Sequence, residues 1–552
     1  MERYEQKGGR NGPARLLFGA RRYVVSALLI AVLLIAVTTR FYKNTENPAG
    51  FFTDEAAIGY NAYLILHTGR DEYGEMMPLM FRSYEDYKLG VFVYSVVPFV
   101  AVFGLTEVAV RAAGGAWGVL AVLMLYLLVA ELFRNRWAGL AAELFLAVTP
   151  WHIHFSRTGF GEMLSFVPLY LLGVYLFVRA ARATRTNNSG PTLAPQEDVK
   201  GRLKHLTAWL PWLCVGLAFG LSLYTYRSAW VTAPPTLIAL GVIYRREVWA
   251  ARGAVALGAG VLFLMALPIQ YHLASGHGDR SQQVGILHLG LGTWETSRLF
   301  AEQYVSHFSY SFLFEQGDGG YILRHYLPGF GVLYRAQIPL MAVGALGVLF
   351  RPTREKAVIA LLVLVFPLGA AMSEASPISS RAILGAAAAS ALSGYGLFLI
   401  AAAAGKLNPP YRHAAVAAVL AVAAIAMGLS VQSYLKLYHG EYRSISAGYW
   451  GWQSGPREIV RFFLDNRDKY DQLVMDGEFN APDMFLRFYA PDVCVDETCL
   501  IGEMAYYDPA RRQLFAIKPH NVGREFRFRL VREMHYPDGE PSFLLLEITG
   551  RR

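Results

Sequence analysis

The sequence predicts a mainly α-helical, polytopic membrane protein that ends in a small soluble α/β or α+β domain. Three observations carry this. Of 552 residues, 54% are hydrophobic and only 17% charged, a composition too apolar for an ordinary soluble protein. Apolar runs near the ~20 residues that cross a bilayer recur through the first 435 positions. Beyond residue 436 the composition turns charged and mixed. Three cysteines exclude a disulfide scaffold, and no Cys and His group has zinc-site spacing.

Taken in order, apolar runs at 23–41, 112–132, 138–150, 162–178, 207–224, 229–243, 254–272, 331–350, 357–372, 382–403 and 413–435 predict about eleven transmembrane helices. The first follows Arg10, Arg15, Arg21 and Arg22; its length and the lack of a small-residue cleavage site before Arg40–Lys43 make it a retained anchor. With residues 1–22 cytoplasmic, the inner loops carry Arg134 and Arg136; Arg179, Arg182, Arg185, Lys200, Arg202 and Lys204; Arg245, Arg246 and Arg252; Arg351, Arg354 and Lys356; and Lys406 and Arg412. The short outer loops carry one basic residue each: Arg157, Arg227 and Arg381. The net charge of +9 therefore belongs to cytoplasmic loops of a multi-pass plasma (inner) membrane protein, not to a nucleic-acid surface. This topology requires that the apolar stretch 89–104 not cross; if it crosses, a later span is misread. The stretch 181–206 reads as a flexible cytoplasmic loop, and no internal repeat is visible.

Three segments then face outside: 42–111, 273–330 and 436–552. The last is expected to fold by itself, with a helix near Pro456–Phe463 and strands at Gln472–Met475 and Phe543–Ile548. Cys494 and Cys499 lie in it, either as a disulfide in an oxidising exterior or as two thiols.

Chemistry must come from polar residues at the outer helix ends. The first outer loop reads Phe51-Phe52-Thr53-Asp54-Glu55, then an amphipathic stretch with Ile58, Ala62 and Ile65 on one face, suited to a helix on the membrane surface. Adjacent carboxylates at a membrane boundary are costly unless paired or used. Asp54 has two open readings, helix N-cap and catalytic carboxylate. Lys88 opens an apolar helix at headgroup depth, either snorkelling or reaching a lipid phosphate. Arg157 and Glu162, five residues apart across a glycine-containing bend, either share an outer cleft or pair with each other. Arg suits a phosphate through its fork of donors. His152 and His154 lack a third ligand and read as interfacial rather than metal-binding. Arg381 and Arg227 run against the positive-inside trend, as an anionic substrate or ordinary interfacial arginine would explain. Tyr304, Tyr310, Phe312, Phe314 and Tyr321 in the second outer loop read as sugar contacts or a lid, or as an interfacial belt.

The Thr-Asp-Glu at 53–55, Lys88-Leu89-Gly90, the stretch Phe103-Gly104 to Arg111, Arg134-Asn135-Arg136, Thr149-Pro150, and Phe155-Ser156-Arg157 with Glu162 resemble the N-terminal half of GT-C membrane glycosyltransferases. Most similar is the group of protein O-mannosyltransferases and aminoarabinose transferases. The resemblance covers roughly 20–180 and, weakly, the Arg381 helix; it does not reach 436–552. Where that group often has His/Lys-Pro-Pro-Leu, this chain has Tyr87-Lys88-Leu89-Gly90.

The resemblance implies inverting transfer of a sugar from a polyprenyl phosphate donor to a protein, lipid or glycan acceptor at the outer face. A carboxylate general base activates the acceptor hydroxyl, a role that falls to Asp54 with Glu55 in support. Arg157, Lys88 and Arg381 would hold the donor phosphate, and Glu162, Tyr60 and Asp86 the sugar or acceptor hydroxyls. No obligatory metal or other cofactor is expected, although related oligosaccharyltransferases use a divalent ion, which keeps Asp54, Glu55 and Glu162 open as ligands. The rival classes are a transporter or flippase, which would place charge near the bilayer midplane, and a non-catalytic binder of lipid-linked sugar.

Overall fold

The computed structural model describes residues 13–83, 86–188, 199–276, 285–320, 322–494 and 498–552. All eleven apolar runs are helical: α1 (Pro13–Phe41), α4 (Glu107–Phe133), α5 (Arg136–Val148), α7 (Glu162–Asn188), α8 (Val199–Ser222), α9 (Ser228–Ile243), α11 (Arg252–Ala274), α14 (Ile338–Leu349), α15 (Arg354–Val365), α17 (Leu384–Ala404) and α18 (Tyr411–His439). Among the described residues six helices are long and apolar enough to cross a membrane. The helices pack where small residues let backbones approach. A Cβ at Gly216 of α8 would sit 2.1 Å from the Gly258 carbonyl oxygen of α11, and one at Gly396 of α17 only 1.9 Å from that of Leu340 in α14. Glu143, midway along α5, departs from the apolar helix middles; it is fully buried.

The first loop holds α2 (Thr53–Thr68), the strands β1 (Met80–Ser83) and β2 (Asp86–Leu89), and α3 (Gly90–Phe103). Helix α3 has 14 residues. It starts where Val91 donates to the Tyr224 carbonyl beyond α8 (3.2 Å). It stops just before α4, whose first residue Glu107 meets Arg457 of the C-terminal region (3.1 Å). The apolar face of α2 does not lie on the membrane surface, as its sequence suggested. Ile58, Ala62 and Ile65 are buried in protein, in one cluster with α3 and the C-terminal region.

Beyond α18 come the short α19 (Glu441–Ile445), α20 (Pro456–Asn466), β3 (Gln472–Met475), α21 (Pro482–Tyr489), β4 (Cys499–Ile501), β5 (Gln513–Ile517), β6 (Phe526–His535) and β7 (Pro541–Arg551). They form one mixed sheet of order β4-β3-β5-β7-β6, with β3 parallel to β4 and β5 and the other pairs antiparallel. Apolar Ile459, Val460 and Phe463 of α20 cover one face. Val474, Phe515 and Leu546 face the other. Cys494 and Cys499 form a disulfide.

Candidate active site

Consecutive residues on a helix point about 100° apart, so Asp54 and Glu55 in the first turn of α2 enter different surroundings. Glu55 is fully buried and paired with Arg111 of α4, Oε1 accepting from Nε (3.0 Å) and Oε2 from Nη2 (3.1 Å). The backbone N–H of Gly159 (2.6 Å) and of Phe52 (3.0 Å) also donate to it. Arg111 in turn donates to the carbonyls of Asn44 (2.6 Å), Pro48 (3.2 Å) and Gly50 (2.5 Å). The N-cap of α2 is Phe52, not Asp54, and it is Glu55 that reaches back to the N-cap N–H.

Asp54 keeps 37% of its side chain exposed and lies 2.7 Å from Lys88 Nζ. The β1–β2 hairpin delivers Lys88, and the two-residue period of a strand puts Asp86 on the same face. Arg227, between α8 and α9, pairs with Asp86 and donates to the Tyr87 carbonyl (3.1 Å). Glu162, the first residue of α7, accepts from the Leu89 N–H (3.0 Å). Three carboxylates and two cations therefore meet where α2, the hairpin, α7 and the α8–α9 bend converge. Burial disfavours the Lys88 charge, but Asp54 and Glu162 outweigh it and hold the ammonium above the ordinary lysine range. Beside the cluster, Met80, Tyr87, Leu89, Trp230, His272 and Leu273 line a narrow apolar cleft with Arg227.

Arg381 precedes α17. It donates to Ser373, and its carbonyl accepts from Ser228, the residue after Arg227 (3.0 Å). The second loop contributes residues that sequence reading did not single out. Arg324 lies 4.3 Å over the Phe52 ring, and His325 Nδ1 is 3.6 Å from Asp318 Oδ2. Burial drives His325 well below the usual imidazole range, with Arg324 and His154 adding to it. Burial pushes the Asp318 carboxyl up to about 7, although it accepts from the Ser379 N–H (2.7 Å). A basic residue in an outer loop is the signal that marked Arg381, but this loop also carries Arg280 and Arg298, so the signal does not single out Arg324.

Several expected placements differ. Arg157 is fully buried, donating to the carbonyls of Thr39 (2.7 Å), Tyr42 (2.7 Å) and Asn47 (3.1 Å); it neither pairs with Glu162 nor opens onto the cleft. Its role here is to tie the end of α1 to the bend before α7. The charged neighbours of Tyr60 are Arg487, Glu72 and Asp492, outside the cluster. His154 bonds the Arg324 carbonyl (2.8 Å), and burial lowers it to about 4. Of the second-loop aromatics, Phe312 packs edge-on against Trp151 and Tyr304 donates to the Leu364 carbonyl (2.7 Å), while Tyr321 lies outside the described residues. Asp54, Glu55 and Glu162 do not fit a shared metal, because the Glu55 oxygens are taken up by Arg111 and two backbone N–H groups.

The profile of the dolichyl-phosphate-mannose-protein mannosyltransferase family matches residues 91–190. No curated protein matches by sequence. Among solved structures, ArnT from Cupriavidus metallidurans bound to undecaprenyl phosphate is 11% identical with a TM-score of 0.53, over 96% of this chain and 98% of that one. The archaeal oligosaccharyltransferase AglB from Archaeoglobus fulgidus, in complex with an inhibitory peptide and a dolichol-phosphate, is 13% identical with a TM-score of 0.53 over 87% of this chain. The same oligosaccharyltransferase tethered to an acceptor peptide gives 12% and 0.52. This chain spans 64% of the length of those oligosaccharyltransferase chains. The chain therefore shares the fold of these membrane transferases, over nearly the whole length of ArnT.

Proposed function

We propose that this protein transfers a sugar from a polyprenyl phosphate donor to an acceptor hydroxyl or amine at the outer face of the plasma membrane. The observation that carries the reading is the partly exposed Asp54–Lys88 pair at 2.7 Å, set among Asp86, Glu162 and Arg227. Carboxylates at a membrane boundary persist when they are used, and this pair supplies both halves of the chemistry. The ArnT and AglB structures, bound to undecaprenyl phosphate and dolichol-phosphate respectively, supply the donor class.

In this mechanism Asp54 accepts the acceptor proton as the nucleophile attacks the anomeric carbon, and the sugar–phosphate bond breaks on the opposite face with inversion. Negative charge grows on the lipid phosphate, which fixed cations stabilise. Lys88 has three N–H donors, so it can bond the phosphate while facing Asp54; a phosphate that draws it off leaves Asp54 the stronger base. Arg227 and Arg381, linked through Ser228, are the further cations, and Arg157 is withdrawn from that role by its burial. Glu162 and Asp86 hold sugar or acceptor hydroxyls. Glu55 fixes α2. No step uses a metal.

The test is donor turnover by the full chain in lipid, with a panel of polyprenyl phosphate sugars and the anomeric configuration of the product determined. Turnover with inversion supports the reading. Retention contradicts the single-displacement chemistry, and sugar-lipid movement across the bilayer without bond cleavage would favour a flippase.

A further inference from the structure

The C-terminal region grips the helix that carries Asp54. Thr53, directly before Asp54, is 3% exposed, and its hydroxyl faces two acceptors of that region: the Asn480 carbonyl oxygen and Gln453 Oε1 (3.5 Å). A hydroxyl has one hydrogen, so it donates to one acceptor at a time. Gln453, 2% exposed, is itself held by its Nε2 donating to the Tyr449 carbonyl (3.3 Å). Asn480 belongs to the loop that leaves the carboxyl end of β3.

Further contacts of the C-terminal region hold the surroundings of this helix. The Trp452 carbonyl oxygen approaches Gly50 so closely that a Cβ there would lie 1.9 Å away. In mid-helix, a Cβ at Gly59 would lie 2.5 Å from the Phe488 ring of α21, and that ring also meets Phe51 at 4.9 Å between centroids. At the start of α4, Glu107 takes Arg457 (3.1 Å) and the Tyr489 hydroxyl.

An N-terminal helical turn is ordinarily held by a Ser, Thr, Asp or Asn cap side chain. Here the N-cap is Phe52, which makes no side-chain cap bond. Besides Glu55 and the Asp54–Lys88 pair, the first turn is held by the C-terminal region through Thr53. Resting on the reading of Asp54 as general base, we propose that Thr53 is a positioning residue: its hydroxyl docks the first turn of α2 onto Gln453 and Asn480, and so sets the Asp54 carboxylate against Lys88 and the acceptor. The C-terminal region is then part of the catalytic geometry and not only a cover.

The test compares Thr53→Val, which keeps the shape and removes the donor, with Thr53→Ser, which keeps the donor, both in the full chain in lipid. Misplacement of a reacting group by about 1 Å costs about 100-fold. Thr53→Val is expected to lower kcat about that much with donor KM unchanged, and Thr53→Ser to restore it. Hydrogen exchange of the segment 51–58 is expected to quicken in Thr53→Val and not in Thr53→Ser. Thr53→Ala provides the same contrast if the valine variant fails to fold. Wild-type kcat, or wild-type exchange, in the donor-less variants overturns the proposal. Exchange is read whether or not any donor turns over. A failed donor panel therefore counts against the transferase reading, and unchanged exchange counts against the clamp.

Discussion

Two neighbouring regions of the same helical turn, one around Glu55 and one around Asp54, use the same residue types to opposite ends. Around Glu55 a carboxylate, an arginine, three carbonyls and two N–H groups satisfy one another out of contact with solvent. Around Asp54 the charges also meet, but Asp54, Lys88, Asp86 and Arg227 keep from 15% to 37% of their side chains exposed. Identical chemistry becomes scaffold where the protein takes up every hydrogen-bonding position, and becomes available to a substrate where solvent holds some of them. Arg157, fully buried and held by three carbonyls, also falls on the scaffold side.

The contrast is broken most severely by removing one partner of the closed region. Arg111→Met leaves the Glu55 carboxylate buried without its cation, which is expected to cost about 3–5 kcal/mol of stability; thermal unfolding in detergent measures it. On the open side, Lys88→Met is expected to lower kcat/KM for the donor about 100-fold while changing the unfolding temperature less than Arg111→Met does, since Asp54, its partner, keeps 37% of its side chain exposed. Steady-state kinetics and unfolding of one preparation separate the two effects.

A pH series sharpens the contrast at the second loop. The folded state holds Asp318 up to about 7, above its ordinary range, so it retains a proton there that the unfolded chain has released. That contribution is complete below about 4 and is lost as pH rises through 7. Asp318→Asn is therefore expected to match wild type near pH 4 and to exceed it at pH 8 by about 1–3 kcal/mol, discounted from the full shift for relaxation. Equal stability at both pH values contradicts the sign. The smallest effect belongs to Arg298→Ala, which breaks the exposed Arg298–Glu302 pair (2.8 Å) on α12 (Thr293–Ser306). It is expected to leave the unfolding temperature and turnover unaltered.

The helices were legible in the sequence because apolar runs of bilayer length leave few alternatives, and β3 coincides with the strand read at Gln472–Met475. The stretch 89–104, set apart by the distribution of Lys and Arg, forms the 14-residue helix α3. Within the site, the structure brings together Asp54, Lys88, Asp86 and Glu162. Their separation in sequence is bridged by the start of α7 at Glu162, which the sequence marked, and by the β1–β2 hairpin, which it did not. The fates of Glu55 and Arg157 were not legible. Arg111 is 56 residues from Glu55, and the carbonyls that hold Arg157 lie 110 to 118 residues before it. Burial of that kind is decided by packing between helices, which periodicity does not encode. Arg324 escaped for the same reason: its place over Phe52 depends on how the second loop folds back.

The central claim, that Asp54 reacts and Glu55 supports, is tested most directly by Asp54→Asn measured for turnover and thermal unfolding together. The account predicts a fall in kcat of about 10²–10⁴-fold with an unfolding temperature near that of wild type. Full activity in Asp54→Asn, or loss of activity only in step with loss of fold, would contradict it.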